Sequence, residues 1–407
     1  MNRTEFIRPS IIEGTVTVPS SKSMMQRAVA ACFLAELFGH QDGLQCKIIN
    51  PSDCDDAITA LKIVKSIRNG EKVLDCGEAG LSLRMFAPIA TLFDRKFVLT
   101  GHGSLLDRPV DMVETALKSL GVECKSNNGL LPMELKGPLK AGKLTVEASV
   151  TSQLLTGLLM ALPCCDGDSQ IVVKNLKSKP YIEMTLKLLN DFGIEIENDA
   201  FKSFKIKGGQ KYKTINYSVE GDWSSASFLL VAGAIGGCVK VENLNHHSSF
   251  QADKKIIEVL KLCGAGVKIG YENVEVYKKE LEAFTFDAQD CPDLFPPLVT
   301  LACYCKGKSI ISGVERLKHK ESNRGIVLQD EFKKLGAKIK ISEDKMEIEG
   351  TPLNGGKVNS NADHRIAMAC AVAGISSKQG VKINGADCVS KSYPGFFMDL
   401  DSIIKTD

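Results

Sequence analysis

Lys22 and Ser23 head an apolar-periodic run, Met24 to Leu37, directly after the β-branched segment Thr15 to Val18 and Pro19. That pattern predicts a strand, a tight connection and a helix whose first turn carries Ser21, Lys22 and Ser23. Helix N-termini expose unpaired N–H groups and a partial positive charge, so a phosphate or carboxylate is favoured there. Lys22 and, one turn on, Arg27 add full charges. The glycines of a phosphate-binding P-loop are absent. Similar helix starts recur. Glu78-Ala-Gly80-Leu-Ser-Leu-Arg84 puts a glycine where backbone can approach a ligand closely. Arg108 precedes a proline, which holds it extended just before a helix. Thr151-Ser152-Gln153 opens another helix with two hydroxyls and an amide, and Asp293 stands between Pro292 and the Pro296-Pro297 pair. Lys320, Glu321 and Arg324 fall within one turn, and Asp363-His364-Arg365 precedes the apolar run Ile366 to Gly374.

Each cluster alone fits an ordinary role. Ser152 would serve as a plain N-cap, Asp293 as a good N-terminal residue, and the charges of 318–324 as solvated surface. Together they say more. Lys22, Arg27, Arg108, Lys320, Arg324 and Arg365 stand against only two unattached acids, Asp293 and Glu321. That describes a pocket for two anionic substrates with an acid/base pair between them.

The elements that must position these groups come from an internal repeat. Gly121, Gly193, Gly264 and Gly336 each follow an amphipathic helical pattern and precede a short alternating strand, at intervals of 72, 71 and 72 residues. Glycine after a helix is the residue a left-handed cap asks for, and near-equal spacing marks a repeat. A second series of Leu/Ala/Met-rich helices starts at Ser23, Gly80, Ser152, Ser225, Leu294 and His364. Each unit therefore holds one buried and one amphipathic helix with short strands between, such as Lys143 to Glu147, Gln170 to Lys174 and Lys345 to Glu349. Six units divide into two domains of three: 21–219, and 220–407 joined by the first 20 residues, which lack a partner helix of their own. The polar helix starts would gather at one end of each domain, and two such ends facing each other would form a cleft.

Composition narrows the class of function. A net charge of +2 gives no warrant for nucleic acid or membrane binding, so any anion must be held by local clusters. The fourteen cysteines are scattered, without C-x-x-C or Cys/His metal spacing, which fits reduced thiols in the cytoplasm rather than a metal site. The N-terminal residues do not read as a signal peptide, and the apolar stretches are too short to span a bilayer.

The ordered motifs resemble the 5-enolpyruvylshikimate-3-phosphate (EPSP) synthase family over essentially the whole length. They are Ser21-Lys-Ser-x-x-x-Arg27, Glu78-Ala-Gly-x-x-x-Arg84, Arg108-Pro109, Ser149-x-x-Ser-Gln153, Ser178-Lys-Pro-Tyr181, Gly221-Asp-x-Ser-Ser-Ala226, Pro292-Asp293, Lys320-Glu-Ser-x-Arg324, Asp363-His-Arg-x-Ala-Met368 and Lys391. The resemblance implies an α/β fold, an inside-out α/β barrel of two domains. Each would carry three βαβαββ repeats around buried parallel helices, with the active site in the interdomain cleft. It implies transfer of the enolpyruvyl group of phosphoenolpyruvate to the 5-hydroxyl of shikimate 3-phosphate, in chorismate and aromatic amino acid biosynthesis, by a cofactor-free cytoplasmic monomer. By that resemblance Lys22, Ser23, Arg27, Thr151, Ser152, Gln153, Ser178, Asp293 and Lys320 would hold shikimate 3-phosphate. Lys22, Gly80, Arg108, Gln153, Arg324, Arg365 and Lys391 would hold phosphoenolpyruvate. Asp293 would take the hydroxyl proton, while Glu321 with Lys22 would manage the proton of the methylene carbon.

Four positions depart from the family pattern. Glu78 and Leu81 stand where Asn and Thr are usual, Asn323 replaces an acid, and Arg316 replaces an uncharged residue. The alternatives are the sister UDP-N-acetylglucosamine enolpyruvyltransferases, which carry Lys-Asn where this chain has Lys22-Ser23, and a non-catalytic scaffold that binds anions. Asp293 and Glu321 argue against the scaffold, since a pure anion binder gains nothing from acids among its cations.

Overall fold

The computed structural model describes residues 3–39 and 45–405. The chain forms two compact units, one of residues 22–219 and one of 1–21 with 220–407. Residues 1, 2, 40–44, 406 and 407 of the expected domains lie outside the described residues.

The continuous unit carries helices α1 (Lys22–Phe38), α2 (Asp55–Arg68), α3 (Gly80–Ala90), α4 (Asp111–Ser119), α5 (Gln153–Ala161) and α6 (Lys179–Asp191). Every residue of α3 is buried, as are all but the first of α5. These helices are apolar all round because other helices and sheets enclose them. Helices α2, α4 and α6 bury one stripe each, such as Ala57, Ala60, Ile63, Val64 and Ile67 of α2. Strands Val73–Asp75, Lys96–Thr100, Leu130–Lys136 and Glu123–Asn127 lie side by side in that order, the first pair parallel and the rest antiparallel. Lys143–Glu147, Ser169–Lys174, Ser203–Ile206 and Ile196–Asp199 repeat the arrangement. A third, reduced sheet pairs Lys47–Ile49 in parallel with Asn216–Ser218.

The discontinuous unit repeats the plan with α7 (Trp223–Gly236), α8 (Ile256–Leu262), α9 (Phe295–Cys303), α10 (Arg324–Lys334), α11 (His364–Ile375) and α12 (Phe396–Ser402). Here α7, α9 and α11 are the enclosed helices and pack on one another. Strand Ile12–Thr17 pairs in parallel with Gly237–Glu242, and Thr4–Ile7 pairs antiparallel with Val381–Asn384. The N-terminal segment thus completes two sheets of this unit, and the α/β architecture of buried and amphipathic helices matches the sequence expectation.

The six enclosed helices begin at Lys22, Gly80, Gln153, Trp223, Phe295 and His364, within two residues of the expected starts. Gly121, Gly193, Gly264 and Gly336, which follow α4, α6, α8 and α10, have φ of +80°, +78°, +87° and +94°. A side chain there would strain the left-handed turn that ends each surface helix.

Candidate active site

In the continuous unit, α1, α5 and α6 enclose Arg27, which is 1% exposed. Its Nε donates to Thr185 Oγ1 at 2.9 Å and its Nη1 to the Ser23 carbonyl at 2.9 Å. Nη2 donates to Thr156 Oγ1 at 3.4 Å and to the Tyr181 carbonyl at 3.3 Å. All these acceptors are neutral. Burial pulls the guanidinium down to about 10, so it keeps its charge at neutral pH in an interior that supplies hydrogen bonds but no carboxylate among them.

A second cation cluster forms where α3 and α5 begin. Arg84 Nη1 donates to Gln153 Oε1 at 3.0 Å and Nη2 to the Pro109 carbonyl at 3.0 Å, while its buried Nε has no hydrogen-bond partner among the described residues. Arg108 Nη2 donates to Ser104 Oγ at 3.2 Å. Burial, then the like charge of Arg108, lowers Arg84 to about 10. The first residue of α3 is Gly80, and a Cβ there would lie 2.9 Å from Arg108 Nη1, 3.0 Å from Arg84 Nη1 and 3.6 Å from Gln153 Oε1. Two guanidiniums and an amide thus converge on bare backbone at a helix N-terminus, a cradle shaped for an anion. Thr151 Oγ1 accepts the Gln153 N–H at 3.2 Å, and buried Ser152 makes no side-chain cap to α5. Ser178, buried ahead of α6, is held at φ 57°, ψ 45°, a left-handed conformation uncommon outside glycine. Lys22 is ion-paired with Asp56 of α2 at 3.0 Å, so the sequence expectation of only two unattached acids omitted its partner.

In the discontinuous unit, the remaining residues form one ion network. Asp293 precedes α9 in a 3₁₀ turn, with Oδ1 2.9 Å from Arg324 Nη1 and 3.3 Å from Lys320 Nζ, and Oδ2 3.2 Å from Arg365 Nη2. Glu321 Oε2 lies 2.5 Å from Arg324 Nη2, and its Oε1 3.9 Å from Lys391 Nζ. Arg324, fully buried at the head of α10, also donates from Nε (2.9 Å) and Nη2 (3.2 Å) to Asp363. Asp363 in turn caps α11 by accepting the Arg365 N–H at 3.0 Å and takes a hydrogen bond from Ser322 Oγ at 3.1 Å. The reading of 318–324 as solvated surface therefore holds for Lys318, which pairs with exposed Glu315, but not for Arg324. Asp363, like Asp56, is an acid that the count of two left out.

Burial works to raise the Asp293 carboxyl, but Arg365, Lys320 and Arg324 outweigh it and hold the group well below the usual carboxylate range. Burial opposes the charge of Arg324, and Asp363, Glu321 and Asp293 more than restore it. Lys320 is lowered by burial, against the pull of Asp293. The arrangement can bind anions on Arg324, Arg365, Lys320 and Lys391 while keeping an ionised carboxylate beside them. Among the described residues, no three His, Cys, Asp or Glu side chains are grouped to hold a metal ion, and no helix is long and apolar enough to cross a membrane.

Of the residues that depart from the family pattern, Leu81 is buried in α3, and Glu78 packs its carboxylate against Gly103. Asn323 is exposed and makes no side-chain cap to α10, and Arg316 acts as a like charge on Lys320. Thr156, Thr185 and Asp56 were not singled out in the sequence, because a single hydroxyl or carboxylate within a helix carries no local signal of a distant cation.

The model of EPSP synthase (3-phosphoshikimate 1-carboxyvinyltransferase) matches residues 65–400. A Clostridium novyi (strain NT) protein named 3-phosphoshikimate 1-carboxyvinyltransferase is 36% identical over 424 residues, covering 98% of this chain and 96% of its own. EPSP synthase from Acinetobacter baumannii superposes with a TM-score of 0.79 at 23% identity, covering 100% of this chain and 99% of that one. The enolpyruvyl transferase NikO from Streptomyces tendae gives 0.76 at 14% identity, covering 98% and 97%. At those identities the two solved structures speak to fold alone. The family model spans most of the chain and the relative nearly all of it, so the chain belongs to the EPSP synthase family.

Proposed function

We propose that this chain transfers the enolpyruvyl group of phosphoenolpyruvate to the 5-hydroxyl of shikimate 3-phosphate, releasing EPSP and inorganic phosphate. The observation that carries the reading is Asp293, an ionised carboxylate set among Arg324, Arg365 and Lys320 with Glu321 on the far side of Arg324. The printed name of a relative 36% identical over 98% of this chain supports it.

Arg27, with Ser23, Thr151, Ser152, Ser178 and Lys320, takes shikimate 3-phosphate, whose phosphate supplies the anion that buried Arg27 lacks among its hydrogen-bond partners. Gly80, Arg108 and Gln153, with Arg324, Arg365, Lys391 and Lys22, take phosphoenolpyruvate. Arg84 belongs beside them, since it converges on the same bare backbone. A proton added to the methylene carbon makes C2 electrophilic, and the 5-hydroxyl oxygen bonds to C2 as its proton passes to Asp293. The C2–phosphate bond then breaks as the methyl group gives back one proton, restoring the alkene, and the hydroxyl proton leaves with phosphate. Glu321, between Arg324 and Lys391, and Lys22, beside Asp56, handle the methylene proton. Asp293 is a weak base in the cation cage without substrate. Anionic substrate on Arg324 and Arg365 would share their charge and strengthen it as a base.

The chain would work as a cytoplasmic monomer without cofactor or nucleic-acid partner, a reading that rests on its fourteen free thiols, its small net charge and its family. The test is initial-rate phosphate release from phosphoenolpyruvate with shikimate 3-phosphate or UDP-N-acetylglucosamine as acceptor. Release only with shikimate 3-phosphate is expected. Release only with the nucleotide sugar would overturn the acceptor assignment, and release with neither would favour a non-catalytic anion binder.

A further inference from the structure

Asp253 lies outside every motif considered so far. It sits in the 3₁₀ turn Ala252–Lys255, which packs on the start of α7, and is 1% exposed. One carboxyl oxygen, Oδ2, accepts a hydrogen bond from Ser224 Oγ. The other, Oδ1, is buried with no partner among the described residues. The turn is rigidly placed: Gln251 Oε1 accepts the Trp223 N–H at 3.0 Å, and Gln251 Nε2 donates to the Gly221 carbonyl at 2.8 Å. A buried carboxylate with a bare oxygen has a strong incentive to carry a proton.

Its electrostatic neighbours are the catalytic network. Asp293, from the turn before α9, and Asp222, the cap of α7, face it as like charges, and Arg365 at the head of α11 faces it as the opposite one. The Cys291 thiol, two residues before Asp293, also feels its charge, along with that of Lys255 from Asp253's own turn. Beyond Asp293 stand Lys320, Arg324 and Glu321.

We infer that Asp253 is a positioning residue for the transfer reaction, its charge state deciding how much of Arg365's positive charge remains for the anionic substrate. Burial pushes its carboxyl up to about 7, Asp293 adds to the rise, and Arg365 and the Ser224 hydrogen bond oppose it. On the acid side Asp253 is neutral, and Arg365 answers to Asp293 and to substrate. On the alkaline side a further carboxylate joins Asp293 and Asp222 in claiming Arg365, and the substrate anion meets a less positive site. Binding of the anion and ionisation of Asp253 thus oppose each other, as linkage requires. Asp253 touches no reacting atom in this account.

The kinetic arm rests on the proposed enolpyruvyl transfer, and a second arm does not. In the first, kcat/KM for phosphoenolpyruvate is followed over roughly pH 5.5 to 9. The wild type is expected to lose about tenfold through a step near neutrality, chiefly in KM, the scale of one altered charge interaction. Asp253→Asn should lack that step while keeping the acid-side value. Ser224→Ala, which removes a hydrogen bond to the charged form, should move the step to higher pH. The substrates' own phosphate titrations are common to all three proteins and cancel in the comparison. Superimposable profiles for wild type and Asp253→Asn would overturn the inference. In the second arm, aspartate Cγ signals of carbon-13-labelled protein are titrated without substrate. One carboxyl should titrate near neutrality, vanish in Asp253→Asn and move down in pH in Asp293→Asn. Absence of such a signal would overturn the inference whatever the enzyme's activity. No phosphate release by the wild type at any pH would instead count against the transfer reading.

Discussion

Asp293 and Gly80 show at the scale of single residues how cations serve charge in one place and frame space in another. Asp293 is held ionised by Arg365, Lys320 and Arg324 against the effect of burial. Asp293→Asn should therefore reduce kcat by about 10²- to 10⁴-fold, the range for loss of a positioned base. Shikimate 3-phosphate binding, read by calorimetry, should persist, because the variant removes an anion from among the cations. Turnover within a few-fold of wild type would reassign the base. Gly80 is the opposite case, a residue defined by what it leaves empty. In Gly80→Ala the added methyl would press on Arg108 Nη1 and Arg84 Nη1, the mobile ends of long side chains. The fold should tolerate it within about 1 kcal/mol, while the KM for phosphoenolpyruvate rises about tenfold or more. A changed melting temperature with an unchanged KM would place the cradle elsewhere. The cations and Asp293 were legible in the sequence because charge beside apolar runs needs an explanation. That they pair with Asp56, Asp363, Thr156 and Thr185 was not, because which group meets which base is decided by packing between helices far apart in the chain.

Helix packing sets where those groups stand. Helices α3 and α5 approach closely at Gly157, where a Cβ would lie 2.6 Å from the Met85 carbonyl oxygen and 2.9 Å from that of Arg84. Both obstacles are backbone and cannot swing aside. Gly157→Ala should thus push apart the helices that carry Gly80, Arg84 and Gln153. We expect a loss of about 1–3 kcal/mol in urea unfolding, together with a raised KM for phosphoenolpyruvate. An unchanged midpoint would mean that the two helices have room to spare. Helix identity was largely readable, since four recurring glycines end surface helices and six polar starts open enclosed ones. The sheets were less so. Their shared strand order, with one parallel pair followed by a hairpin, depends on register between segments whose alternation looks alike. The left-handed Ser178 before α6 likewise gave no sign, because serine does not advertise that conformation.

Across the whole molecule, one unit is a single stretch of chain and the other is closed by the N-terminal strands. Residues 22–219 have their own continuous core, running from Met24 to Val219. Expressed alone, that stretch should unfold cooperatively by circular dichroism yet release no phosphate from the two substrates, since Asp293 and Glu321 are absent from it. A non-cooperative melt would mean that its core needs the other unit. The central claim is the transfer itself, and identifying its product tests that most directly. Proton and phosphorus-31 spectra of the enzyme with phosphoenolpyruvate and shikimate 3-phosphate should show an enolpyruvyl ether at carbon 5 forming one-for-one with inorganic phosphate. Phosphate released without that ether, or an unchanged mixture, would contradict the account.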